Sequence, residues 1–294
     1  MANQTQVAVL GAGSTMGLAM ARSIARSGTP VRGWNRTAEK AKPLEQDRGQ
    51  VFDTPRDAAE GANVILTMLS DADAVLDAVD QAVQGASDDV VWLQMSTIGE
   101  AGTDRCAELA QARSLTLIDA PVLGTKQPAE EGKLVVLASG PESARDRVQP
   151  IFDAVGQKTI WVGEAGAGTR LKMVANSWVL TVTEGTAETI ALAEGLGIDP
   201  QLFLDAIEGG ALDLPYLRMK GKAIMERDFE PAFRLVLAAK DARLIEESAH
   251  RHEIDVPLFS TIRRRLAEGA KDHGDEDFCA TYWTSAPNRT ADRS

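Results

Sequence analysis

Cysteine is nearly missing from this sequence, with only Cys106 and Cys279 among 294 residues. The two lie far apart and in no metal-ligand spacing, so neither a disulfide framework nor a metal site is expected, and a reduced, cytoplasmic setting fits. Positive charge is also scarce. The chain has 31 Lys and Arg against 43 Asp and Glu, a formal net charge of -12, whereas binding a phosphate backbone as the main activity needs a clustered basic face. Nucleic acid is therefore not the expected partner, though backbone amides and a few arginines could still hold one anionic nucleotide. Long apolar runs are absent too. No stretch approaches the ~20 residues that cross a bilayer, and the opening MANQTQVAVLGAG passes into a strand pattern without a basic, signal-like region. No membrane partner is expected. There is no internal repeat or low-complexity segment, and the polar stretch from Ser285 to Ser294 is expected to fray.

What is present is ordinary globular material, 44% hydrophobic and 25% charged, in a chain long enough for two domains. From Gln6 to about Val162 short apolar runs alternate with helical patterns, which predicts βαβ units and a mostly parallel sheet. The strand candidates are Val7 to Leu10, Pro30 to Trp34, Asn63 to Leu69, Val90 to Gln94, Leu115 to Asp119, Leu134 to Ala138 and Thr159 to Val162. Helices are expected over Met16 to Ser27, Asp71 to Val83, Gly99 to Arg113 and Glu142 to Val155. After Gly197 the pattern becomes helical, most clearly over Pro200 to Ile207, Pro231 to His252 and Pro257 to Glu268. The expected domains are residues 1–164 and an all-helical 165–294.

A long helix, at about residues 168–196, links these halves. It follows the glycines Gly163, Gly166 and Gly168, meets no proline before Pro200, and has Gly197 placed as its C-cap. Its first half is apolar nearly all round, with Leu171, Met173, Val174, Trp178, Val179, Leu180 and Val182, the pattern of a buried helix. Lys172 and Asn176 interrupt that run on one face, four residues apart. An ammonium in such surroundings needs a partner or a wet cavity.

The first strand ends in Gly11-Ala12-Gly13-Ser14-Thr15-Met16-Gly17 and runs straight into a helix. Glycines there permit a tight turn and let the backbone approach a pyrophosphate at the helix N-terminus. The spacing is one residue longer than G-x-G-x-x-G, with Met16 where the third glycine would fall. The second strand ends in Asn35-Arg36-Thr37, where NAD-binding proteins usually place an acid. An acid would repel the extra phosphate of NADP and an arginine would accept it, so NADP(H) is expected over NAD(H).

These blocks resemble the β-hydroxyacid dehydrogenase family, which includes 3-hydroxyisobutyrate dehydrogenases and glyoxylate or succinic semialdehyde reductases. The glycine loop with Met16-Gly17 is similar to the family's GLGxMG, and Asn35-Arg36-Thr37 to its NADP-preferring version. Asp119-Ala120-Pro121-Val122-Leu123-Gly124-Thr125, with Pro128-Ala129-Glu130 and Gly132 following, resembles the DAPVSGG substrate loop. Gly166-Ala167-Gly168 with Lys172 and Asn176 resembles the GxGxxxKxxNN block, and Phe233 with Lys240-Asp241 a fourth block. The resemblance implies an N-terminal Rossmann domain joined by the long helix to an all-α C-terminal domain. It further implies an active site in the cleft, and a homodimer or tetramer through the helical domain. Lys172 would be the general acid of carbonyl reduction and the base in reverse, with Asn176 orienting it or the substrate oxygen. Gly11, Gly13, Ser14, Thr15, Met16, Leu69, Ser70, Thr97 and Lys240 would contact the cofactor; Leu123, Gly124, Thr125, Phe233 and Asp241 would face the substrate. Ser96 and Thr97 have a plain alternative as caps of the helix from Gly99.

Leu123 departs from the family, which has a serine there. Leucine donates no hydrogen bond, so either Gly124 and Thr125 bind a substrate carboxylate or the substrate is less polar than a simple hydroxy acid. Ala175 also stands where the family often has asparagine. The expected activity is NADPH-dependent reduction of a small aldehyde or 2-oxo acid. An imine reductase, favoured by Leu123 and opposed by Lys172, and a non-catalytic NADP-binding module are the alternatives.

Overall fold

The run Val7-Ala8-Val9-Leu10 is apolar at every position because both faces of its strand are covered, as a parallel sheet between helices requires. In the computed structural model, which describes residues 5–286, all four side chains are buried. Val7 and Val9 enter one core, with Met20 and Ile24. Ala8 and Leu10 enter another, with Val75, Val79 and Trp92.

The chain divides into two compact units, Met1–Lys172 and Met173–Ser294. In the first, β1 (Val7–Leu10), α1 (Thr15–Arg26), β2 (Val31–Trp34), β3 (Gln50–Phe52), α2 (Pro55–Ala59), β4 (Val64–Thr67), α3 (Ala72–Ala82), β5 (Val91–Gln94), α4 (Gly99–Ala112) and β6 (Thr116–Asp119) build the main layer. Its six strands are all parallel, in the order β3-β2-β1-β4-β5-β6. The order reverses between β1 and β4, so their C-terminal ends flank the switch point at which such sheets bind ligands. Next come β7 (Val122–Leu123), α5 (Lys126–Glu130), β8 (Leu134–Ala138), α6 (Arg145–Val155) and β9 (Gly156–Trp161). Here β8 pairs antiparallel with β7 and parallel with β9. An isolated bridge between Asp119 and Ser139 joins the two sheets.

The long helix, α7 (Ala167–Gly195), starts in the first unit and runs through the second. Gly197 follows it at φ +72°, and the Ile198 N–H closes back on the Ala193 carbonyl at 2.9 Å, so the expected cap forms. The described residues beyond it form α8 (Pro200–Ile207), α9 (Pro215–Glu226), α10 (Leu235–Arg251), α11 (Pro257–His273) and a 3-10 turn over Phe278–Thr284. Met173 and Leu180 pack with Leu235, Ile245, Phe259 and Leu266 in one core, and Ala187 and Ile190 with Ile224 and Tyr282 in another.

Several local expectations need correction. The buried-helix pattern of α7 fails: Met173 and Leu180 are buried, but Val174 and Trp178 are exposed, because the neighbouring helices cover one side only. The helix expected from Pro231 begins at Leu235, since Arg234 is held extended in a bridge to Asp277. The strand expected from Thr159 begins at Gly156, directly after α6; its exposed Gln157 and Lys158 hid it from an apolar pattern. Glu142–Ala144 is a 3-10 turn ahead of α6. Cys106 and Cys279 are free and buried, and burial pushes the Cys106 thiol up to about 12. Most of the stretch from Ser285 to Ser294 lies outside the described residues.

Candidate active site

Gly11 turns out of β1 at φ +98°, and a Cβ there would lie 2.2 Å from the Met68 carbonyl oxygen at the end of β4, so only glycine fits. Ser14 caps α1 by accepting from the Gly17 N–H at 3.0 Å, while its hydroxyl donates to the Gly11 carbonyl at 2.9 Å. Gly17 also cannot carry a Cβ, which would fall 2.2 Å from the Gly11 oxygen. The third glycine of the loop is thus kept for close packing, one position later than G-x-G-x-x-G places it, and Met16 before it is half-buried in the first turn. The N–H groups of Gly13, Thr15 and Met16 find no acceptor among the described residues. Unpaired first-turn amides of this kind are where an anionic phosphate binds.

Gly13 brings the loop against the end of β2, where a Cβ would stand 2.7 Å from Asn35 Cγ and 2.8 Å from Lys40 Cβ. Asn35 shapes the turn by donating from Nδ2 to the Thr37 carbonyl at 2.9 Å. Arg36 and Thr37 are exposed, and the Arg36 guanidinium has no partner among the described residues. Lys40, exposed beside them, is a second cation that the sequence reading passed over.

Polar side chains end the central strands. Thr67, Gln94 and Asp119 occupy one register row across β4, β5 and β6, and all are fully buried. Trp92 Nε1 donates to Thr67 Oγ1 at 3.1 Å, and Gln94 holds the Ser96 backbone through two bonds of 2.8 Å. Ser96 Oγ accepts from the Leu69 N–H at 2.9 Å, so it ties the ends of β4 and β5 together and does not cap α4, whose N-cap is Ile98. Leu69 and Thr97 are half-buried at these ends; Ser70 is exposed and donates to Asp71 Oδ2 at 2.6 Å.

Lys172 lies on the second turn of α7 and is 9% exposed. Its Nζ donates to the Val122 carbonyl oxygen at 2.7 Å. The ammonium is therefore held against β7, beside Leu123, Gly124 and Thr125. Leu123 and Thr125 are half-buried, and Gly124 at φ +126° lies so close to Leu134 that a Cβ would be 2.6 Å from Cδ2.

In the second unit, buried Asn176 donates from Nδ2 to Asp241 Oδ2 at 2.8 Å, and Lys240 Nζ pairs with Asp241 Oδ1 at 2.9 Å. The structure thus joins three of the expected residues into one polar group. Phe233 packs against Phe278 with the rings tilted at 58° and their centroids 5.2 Å apart, against the helical core. Sequence reasoning missed Ser139, Thr169 and the Val122 carbonyl. A backbone acceptor carries no residue signature, and a buried Ser or Thr resembles any other in sequence.

A doubly wound parallel sheet with a glycine turn at its switch point, followed by a helix that buries a lysine, defines an oxidoreductase that binds a nicotinamide dinucleotide. Residues 6–163 match the NAD binding domain of 6-phosphogluconate dehydrogenase, and residues 166–283 match the family described as NAD-binding of NADP-dependent 3-hydroxyisobutyrate dehydrogenase. The chain belongs to the β-hydroxyacid dehydrogenase family. It is 27% identical to glyoxylate/succinic semialdehyde reductase 1 of Arabidopsis thaliana over 283 residues, 94% of this chain and 96% of that one. A solved 3-hydroxyisobutyrate dehydrogenase of Mycobacterium tuberculosis with L-serine superposes with a TM-score of 0.86 at 28% identity, covering 96% of this chain and 99% of that one. An imine reductase of Myxococcus stipitatus in complex with NADP+ shares the fold, with a TM-score of 0.64 at 20% identity over 94% of this chain and 98% of that one.

Proposed function

We propose that this protein is an NADPH-dependent reductase of a small aldehyde or 2-oxo acid, with Lys172 as general acid. The observation that carries the reading is the buried Lys172 ammonium, fixed against the Val122 carbonyl at 2.7 Å. A buried, hydrogen-bonded cation beside the loop that follows β7 is suited to protonating a carbonyl oxygen as charge develops on it. The bound dinucleotide would supply the hydride. The amides of Gly13, Thr15 and Met16 would hold its pyrophosphate, and Arg36, with Lys40 near it, would meet a 2'-phosphate. Asn176, held by Asp241, would orient the reacting groups, and Lys240 would supply a further cation.

Leu123 leaves a substrate carboxylate, such as that of a semialdehyde, to Gly124 and Thr125, or favours a short aldehyde that has none. The test is NADPH oxidation on short aldehydes, semialdehydes, glyoxylate and cyclic imines, with NADH as the cofactor control. Semialdehyde turnover with NADPH, and a kcat loss of about 10²-fold or more in Lys172→Ala, is the expected result. Turnover of imines alone, or NADPH binding without any turnover, would overturn it. We further propose a homo-oligomer formed through the second unit.

A further inference from the structure

The tie that holds the start of α7 is buried and polar, and no catalytic step uses it. Asp119, fully buried at the end of β6, accepts at Oδ2 from the Thr169 N–H and at Oδ1 from the Thr169 hydroxyl, both at 2.8 Å. Ser139 Oγ accepts from the Gly168 N–H at 2.9 Å and donates to the Asp119 carbonyl at 3.0 Å. Two of the orphan N–H groups that open a 29-residue helix are thus satisfied by one strand-end corner. The contact is close: a Cβ on Gly168 would lie 2.3 Å from the Leu137 carbonyl oxygen.

Both partners in the Lys172 hydrogen bond hang from this corner. Lys172 is three residues after Thr169, one turn along the same face of α7. Val122, whose carbonyl receives Nζ, is three residues after Asp119 along the chain. We infer that Asp119 is the positioning residue for Lys172: through Thr169 it fixes the helix start and, through its own backbone, the strand end, so that the ammonium and its acceptor share one anchor. A rigid common anchor matters because misplacing a catalytic group by about 1 Å can cost on the order of 10²-fold in rate.

This inference rests on the reading of Lys172 as the acid, and the test separates the two. Thr169→Val keeps the shape and removes the donated hydroxyl; Thr169→Ser keeps the hydroxyl; Asp119→Asn keeps the size and replaces one acceptor by a donor. Thr169→Val and Asp119→Asn are expected to lower kcat by about 10-fold or more with the carbonyl KM and NADPH Kd within about 2-fold of the parent, and Thr169→Ser to restore kcat. In a Lys172→Ala background, Thr169→Val should add no further loss of kcat. Independently of turnover, a crystal structure of Thr169→Val should show the Lys172 Nζ to Val122 oxygen distance beyond hydrogen-bond range. An unchanged distance, or equal effects of Val and Ser confined to melting temperature, would overturn the positioning role while leaving the acid intact. Full activity of Lys172→Ala would overturn both.

Discussion

Gly11 and Gly28 have nearly the same φ, +98° and +93°, and opposite surroundings. An added Cβ at Gly28 meets nothing within 4 Å, whereas at Gly11 it meets a backbone oxygen at 2.2 Å. Gly28→Ala should therefore cost only the left-handed strain, about 1 kcal/mol. Gly11→Ala adds a collision that neither strand can relieve, because β1 and β4 are paired in register right up to it, through Leu10 and Thr67, and the Met68 N–H is bonded to the Leu10 carbonyl. We expect it to cost on the order of 3 kcal/mol or more in urea unfolding and to weaken NADPH binding. Equal costs at the two positions would show that the glycine turn is not braced against β4. The residue scale is also where the sequence was most legible: the glycines, Arg36 and Lys172 stand out by type in their surroundings. Lys172's acceptor did not, because a carbonyl at Val122 becomes special only when α7 is laid beside it.

At the scale of elements, legibility followed burial on both faces. β1, β4 and β5 read as continuous apolar runs and fall where expected within a residue or two. β3 is a three-residue edge strand with an exposed Gln50, and β7 has only two residues, so neither offers a period to detect. The joints between elements were likewise invisible. In the second unit Glu184, buried on α7, bonds Arg265 of α11 and accepts from the Thr281 hydroxyl at 2.7 Å, tying three elements together. Burial pushes its carboxyl above the ordinary range, with the Arg265 and Thr281 bonds pulling the other way. A raised carboxyl contributes stability that is complete below the unfolded pKa of about 4.3 and is lost as pH rises through the folded value. Urea unfolding of wild type and Glu184→Gln between pH 5 and 8 should show wild type losing ground to the glutamine variant as pH increases. The opposite trend would mean that the Arg265 pairing outweighs desolvation.

For the whole molecule, the exposed stripe on α7 is the surface on which the proposed homo-oligomer can be tested. Val174, Trp178, Leu192 and Leu196 are 62–66% exposed. Eighteen residues make five turns at 3.6 per turn, so 192 lies directly above 174, and Leu196, just past the helix end with its N–H still bonded to the Leu192 carbonyl at 3.0 Å, above 178. Midway between them is Gly185, exposed and with open space where a Cβ would be. Large apolar side chains at both ends and a bare centre are self-complementary in an antiparallel crossing: Val174 of one copy would meet Leu196 of the other, and Trp178 would meet Leu192, as a two-fold interface demands. Apolar side chains aligned in this way are otherwise a liability on a soluble surface. Sedimentation of the wild type should therefore give a dimer or a larger even assembly. Leu192→Glu, which opposes a charge to Trp178 twice per interface, should weaken association by about 10²-fold or more, and Gly185→Trp should do the same by forcing the axes apart. Leu212→Glu, a change at an equally exposed leucine off this helix, serves as the control. A dimer that survives both α7 substitutions but dissociates in Leu212→Glu would move the interface away from α7.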